Sequence, residues 1–144
     1  MTSTPETDHD GLVDALAQAG FATMAALTRL SAVHDLSLTQ LRVLAILRDR
    51  RVRMSRLADH LGLERSTLSG LVDRAERRNL LRRTPNRTDG RAVDVVLTAE
   101  GARLARRLEA EVRSSLAPMT ASLTPAEQRR LRTLLERLLD PRPE

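Results

Sequence analysis

The chain contains no cysteine, tryptophan, tyrosine or lysine, and its only aromatic residue is Phe21. Without cysteine there is no disulfide, no thiolate metal site, no nucleophilic thiol and no thiol-based redox sensing. Without aromatics there is no platform on which single-stranded nucleic acid or RNA bases could stack. The core must come from Leu, Val, Ala and Met, and cores with so few large anchors are often completed against a second copy. The N-terminus, MTSTPETDHD, is acidic and polar, the opposite of a signal peptide. The longest uncharged run, Ala15 to Thr28, is shorter than the about 20 residues needed to span a bilayer. The expectation is a soluble cytoplasmic protein with no membrane partner.

Histidine is scarce as well. His9, His34 and His60 are scattered, each beside an aspartate, but adjacent residues on a helix diverge by about 100°, so such pairs do not build a site. No Ser/His/Asp arrangement, metal-ligand spacing or Gly-rich phosphate loop is present. The sequence therefore points away from an enzyme and implies no cofactor and no metal.

Arginine is what the chain has in abundance. All 24 basic residues are Arg, a bias assigned to base composition rather than to selection for guanidinium chemistry. The net charge of +5 is unevenly spread: residues 1–41 hold one Arg against five acids, residues 42–91 fourteen against six, and residues 92–144 nine against eight. A basic block in the middle third suits a polyanionic partner, because each phosphate neutralised releases counterions.

The 144 residues read as a disordered tail over 1–9 followed by one folded unit over 10–144. Leu12, Leu16, Met24, Leu27 and Leu30 fit a long first helix, weakened by Gly11 and Gly20. Ser37 and Gln40 form a capping box that opens a second, buried helix over roughly 38–49. After the basic connector Arg50–Arg53, a short helix over 55–61 stops at Gly62, and another starts near Glu64 to Ser66. Two short helices across a Gly-containing turn make a helix-turn-helix. In the second of these helices Leu68, Leu71, Val72 and Ala75 form the buried stripe. The opposite side then carries Ser66, Gly70, Asp73 and Arg77, flanked by Thr67, Ser69 and Arg74. Small hydroxyls, a glycine and arginines suit a helix lying in a major groove, although a solvated face has a similar composition. Asp73 is placed either to orient Arg77 at i, i+4 or to accept from a cytosine amine.

Residues 80–84 and 92–97 read as two strands joined by a turn over Pro85 to Gly90. Thr98 caps a long helix with Leu104, Leu108, Val112 and Leu116 on one side. Thr124-Pro125-Ala126-Glu127 opens a last helix bearing Leu131, Leu134, Leu135, Leu138 and Leu139. The fold class is mainly α with a small antiparallel β-hairpin, a winged helix-turn-helix with further helices at its N- and C-terminal sides. The hairpin tip presents Arg87 and Arg91 to the narrow, strongly negative minor groove. Asp89 fixes that tip through an Asx turn or a salt bridge.

The stretches "SRLADHLGLERSTLSGLVDRAERRNLLRR" and "DGRAVDVVLTAEG", with helices on both sides, closely resemble the MarR family of bacterial transcriptional regulators over roughly 12–140. The D-x-R of the wing followed by L-T-x-E-G is the more specific part. Asn79 and Glu64 depart from the usual glycine and N-cap, and Ala75 from a common leucine, which implies looser packing beneath the helix. The resemblance implies a homodimer paired through residues 10–36 and 99–140, with 37–98 forming the winged helix-turn-helix. It further implies binding of double-stranded DNA at a pseudo-palindromic operator, and repression relieved by a small-molecule effector, often an anionic aromatic. The DNA-binding candidates are Arg65, Ser66, Thr67, Ser69, Gly70, Asp73, Arg74, Arg77, Arg87, Asp89 and Arg91. Arg29, His34 and Arg53 are candidates for the effector site. A two-fold dimer must hold its recognition helices about 34 Å apart to enter successive major grooves. The competing reading is a low-specificity duplex-DNA architectural protein with no effector.

Overall fold

The structure, a computed structural model, describes residues 9–140. Six helices and three strands follow in the order α1 (His9–Val33), α2 (Leu38–Leu47), β1 (Val52–Arg53), α3 (Met54–Leu61), α4 (Arg65–Arg77), β2 (Leu81–Pro85), β3 (Val93–Leu97), α5 (Ala99–Thr120) and α6 (Pro125–Leu139). The expected disordered tail lies outside the described residues, except for His9, which opens α1.

Local chemistry accounts for the boundaries. Both capping boxes form: Ser37 and Gln40 at α2, and Thr124 and Glu127 with Pro125 in the first turn of α6. Gly62 ends α3 at φ 64° and Asn79 follows α4 at φ 56°, each in the left-handed region that Gly and Asn tolerate best. Glu64 precedes α4 without any side-chain cap, as a long carboxylate does at that position.

The hairpin is one edge of a larger sheet. Strand order is β1-β3-β2, all antiparallel, with Val52 opposite Val95, Leu81 opposite Leu97 and Pro85 opposite Val93. The basic connector Arg50–Arg53 thus supplies a strand, which pins the base of the wing to the helix-turn-helix. One core runs through α2, α3, α4, the sheet and α5, with Leu57, Leu68, Val72 and Val95 fully buried. The looseness expected beneath Ala75 is not there: the void lined by Ala75, Leu71 and Leu80 is about 10 Å³, no larger than a single water.

The L-T-x-E-G segment has a packing reason. Thr98 caps α5 by accepting from the Gly101 N–H at 3.0 Å, while its hydroxyl donates to the Asn79 carbonyl at 2.6 Å. Its backbone N–H donates to the Leu80 carbonyl at 3.0 Å. This draws the first turn of α5 onto the chain leaving α4, so closely that a Cβ on Gly101 would lie 1.9 Å from the Leu80 oxygen.

The terminal helices are covered differently. α6 buries none of its residues, and Leu131, Leu134, Leu135, Leu138 and Leu139 are exposed. Leu12, Val13, Leu16, Phe21 and Met24 are likewise exposed on α1. α1 contains the uncharged run Ala15 to Thr28 and is long and apolar enough to cross a membrane by length and composition alone, a test that a helix packed in a protein core passes equally.

Replacing Gly101 with alanine forces a methyl into a backbone carbonyl that cannot step aside. The G101A variant is expected to lose about 3 kcal/mol of stability, roughly 10 °C in Tm by thermal denaturation; an unchanged Tm would refute the close approach.

Candidate nucleic-acid interface

The inward stripe of Leu68, Leu71, Val72 and Ala75 is fully packed, which turns the rest of α4 outward. Arg65, Ser66, Thr67, Asp73, Arg74 and Arg77 are exposed, and Ser69 and Gly70 half-buried. On the wing, Arg87, Asp89 and Arg91 are all exposed. The Asp89 carboxylate accepts from the Arg91 N–H at 3.1 Å, an Asx turn, and Asp89 makes no ion pair among the described residues.

Arg83 on β2 joins helix to wing. Its guanidinium reaches Asp73 at 2.8 Å, Glu76 at 3.0 Å and the Ser69 hydroxyl at 3.1 Å. Its backbone N–H donates to Glu76 at 3.1 Å. Asp73 is therefore not spent on orienting Arg77, which makes no ion pair among the described residues. A side chain arriving from the adjacent strand competes better for Asp73 than one a helical turn away. Ser69 is also partly committed, since its hydroxyl oxygen accepts from Arg83, which leaves its O–H and one lone pair for an outward partner.

A second tie holds the wing turn. Asp94 is 3% exposed, although the strand pattern Val93, Val95, Leu97 places it on the outer face. Its two oxygens are occupied by Arg51 Nε at 2.7 Å and Asn86 Nδ2 at 2.9 Å. The hydrogen bond from Asn86, then that from Arg51, holds the Asp94 carboxyl below its usual pKa, outweighing burial. Asn86 meanwhile accepts from the backbone N–H groups of Thr88 and Asp89 through its own oxygen, at 3.1 and 3.0 Å. The turn carrying Arg87 is thus built before any ligand arrives.

Between wing and α4 lies a groove of about 400 Å³ lined by Arg53, Arg65, Ser69, Arg83 and Arg91. A separate cavity of about 310 Å³ sits beneath α1, α2 and α5, walled by Leu27, Leu41, Leu44, Leu108 and Val112, with Arg48, Glu109 and Arg113 at its rim. The three effector candidates do not line it. His34 Nε2 is bonded to Glu111 at 2.7 Å, Arg29 is exposed, and Arg53 belongs to the groove beside the wing.

A sequence model of the MarR family matches residues 34–92. The homoprotocatechuate degradative operon repressor of Escherichia coli is 30% identical over 132 residues, covering 91% of this chain and 89% of that protein. The chain belongs to the MarR family. NadR in complex with 4-hydroxyphenylacetate has the same fold, with a TM-score of 0.75 at 24% identity over 99% of each chain. A MarR point mutant from E. coli complexed with operator DNA superposes with a TM-score of 0.73 at 24% identity, over 96% of this chain and 100% of that one. As a member of the MarR family the protein is a DNA-binding transcriptional regulator and not an enzyme.

Sequence reasoning passed over the residues that position the MarR-type wing. Arg51 was absorbed into a connector, Arg83 into a strand and Asn86 into a turn. One signal was available: a lone acid among valines in β3, in a region rich in arginine, marks a buried ion pair.

Asp94 also fixes a pH dependence. Because its folded-state pKa is lowered, the stability it contributes is present above the unfolded-state value of about 3.9 and is lost as pH falls through the folded-state value. The D94N variant is expected to melt at lower temperature than wild type at neutral pH, with the difference closing in acid below about pH 4. Parallel melting curves at all pH values would show that the ion pair contributes nothing.

Proposed function

We propose that this MarR-family regulator is a cytoplasmic homodimeric repressor that binds a pseudo-palindromic operator and is released from it by a small anionic aromatic molecule. The observation that carries the reading is the pair of exposed cationic surfaces, the outer side of α4 and the wing tip, held in one unit by Arg83. α4 enters the major groove through Arg65, Ser66, Thr67, Ser69, Arg74 and Arg77, and Arg87 and Arg91 enter the adjacent minor groove. Gly70 supports a close approach. Glycine in a helix interior costs about 1 kcal/mol relative to alanine. Yet a Cβ there meets only the end of Arg74 at 3.7 Å, so nothing inside the chain requires its absence.

The uncovered leucines of α6 and the apolar side of α1 support dimerisation through 10–36 and 99–140, leaving 37–98 as the reading head. A second copy covers the same surface that makes α1 apolar enough for a membrane. The cavity beneath α1, α2 and α5 suits the effector: its volume lies at the lower end for ligand sites, its walls are apolar, and Arg48 and Arg113 line it, both paired with Glu109, from which a ligand carboxylate would have to take over one guanidinium. NadR binds 4-hydroxyphenylacetate, and the E. coli relative is named for homoprotocatechuate degradation. A ring against leucine with a carboxylate at Arg48 is the chemistry this cavity offers.

The full chain should sediment as a dimer and prefer a duplex enriched from a random library over unrelated duplexes by about 10³-fold or more. The L135D variant should sediment as a monomer and lose that preference. A wild-type monomer, or equal affinity for every duplex, would overturn the repressor reading, the latter in favour of an architectural protein.

Saturation with 4-hydroxyphenylacetate at about 100 times its Kd should stabilise the protein by roughly 2.7 kcal/mol and release DNA. The R48A variant should show neither effect. Wild-type melting that is indifferent to aromatic carboxylates would remove the effector assignment.

A further inference from the structure

A minor groove has a phosphate strand on each side, so an inserted wing has two flanks to satisfy. The flank toward α4 is the groove already described. Val93 lines that groove, and Asp94, the next residue of β3, lines a different cavity of about 700 Å³. The two meet at Arg53 and Ser55, which line both, but no α4 residue lines the larger cavity, which extends instead along β1, α3 and the wing turn.

Its lining is dominated by Arg50, Arg51, Arg53, Arg56 and Arg87. The only carboxylate among the lining residues is Asp94, already bonded to Arg51 and Asn86. Arg50, Arg53, Arg56 and Arg87 make no ion pair among the described residues. Internal packing does not explain so many uncompensated guanidinium groups around one concavity, because like charges raise the energy of the free protein. They fan out from the β1 edge, the exposed side of α3 and the wing turn, a spread suited to a row of phosphates rather than to one compact anion.

We infer that the outer flank of the wing is a second phosphate-binding surface, which engages the DNA backbone beyond the base pairs read by α4 and the wing tip. The inference rests on the DNA-binding reading above and extends its footprint outward. Arg50 and Arg56 are the residues to test, because both are exposed and neither side chain carries a bond among the described residues.

The test uses the full chain and its library-enriched duplex, either trimmed at the base pairs under the wing or extended by ~5 bp, about half a helical turn, at each end. Binding is followed by anisotropy across a salt series. Wild type should bind the extended duplex more tightly, with a salt slope steeper by about 2 per protomer, or roughly tenfold in affinity between 50 and 200 mM salt. The R50A/R56A double variant should bind both duplexes alike, with wild-type affinity for the trimmed one. Equal wild-type affinity and slope on the two duplexes would overturn the inference. So would a double variant that keeps the preference for the extended duplex or weakens equally on both. Failure to bind either duplex would instead sink the regulator reading itself, and this surface with it.

Discussion

The Arg83 guanidinium bonds to Ser69, Asp73 and Glu76, three α4 side chains spread over two helical turns, from a strand that belongs to the wing. The two surfaces proposed to meet different grooves of one duplex are therefore tied into a single piece. A planar guanidinium is suited to this, since its fixed fork of donors satisfies several acceptors without losing much orientational freedom. Without that clamp, the wing would be a short hairpin anchored only at its base, and ordering it would have to be done at the expense of binding energy.

Other arginines repeat the pattern on a smaller scale. Arg51 secures Asp94, which secures Asn86, which shapes the turn. Arg78, just past α4, donates to the Asp35 and His34 carbonyls at 2.8 and 3.0 Å, tying the end of the recognition helix to the turn between α1 and α2. The basic middle third thus contains two populations. Arg42, Arg48, Arg51, Arg78 and Arg83 bond to other parts of the chain, while Arg50, Arg53, Arg56, Arg65, Arg74, Arg77, Arg82, Arg87 and Arg91 form no ion pair among the described residues. Only the second population is available to phosphates, so the formal excess of charge is a poor guide to how many contacts DNA can receive.

Sequence patterns made the helices legible because each carries its own signal: a capping box at Ser37 and Thr124, Gly62 at a left-handed stop, and an apolar stripe from Leu68 to Ala75. The exposed candidates on α4 followed from the same periodicity, and those on the wing from the polar turn between two strands. Pairings between segments distant in the chain did not follow. β1 has two residues and no alternation to betray it, and it is a strand only because β3 offers an edge. Asp73 was legible as an acid on a basic face, but its partner Arg83 lies ten positions on, across a turn, where helical spacing is silent. The cavity proposed for the effector was not legible for a similar reason. Its walls come from α1, α2 and α5, and no local pattern shows that Leu27, Leu44 and Leu108 converge.

The cavity and the reading head are joined by continuous structure, which bears on how a ligand would act. Leu108 and Val112 of α5 wall the cavity, and Glu111, between them in sequence, holds His34 at 2.7 Å. The backbone carbonyl of that same His34 receives Arg78 from the end of α4. A molecule that spreads α2 from α5 bears on the residues that seat the C-terminal end of the recognition helix. The displacement need not be large. In the proposed dimer the two heads must match a helical repeat of about 34 Å, and an error of a few ångströms at each head would take both out of register. Because the coupling is reciprocal, a duplex holding the heads in register must disfavour the ligand by the same factor. A rigid wing sharpens this behaviour: a flexible one would absorb the misalignment, whereas one clamped through Arg83 and Asp94 passes it directly into lost phosphate contacts.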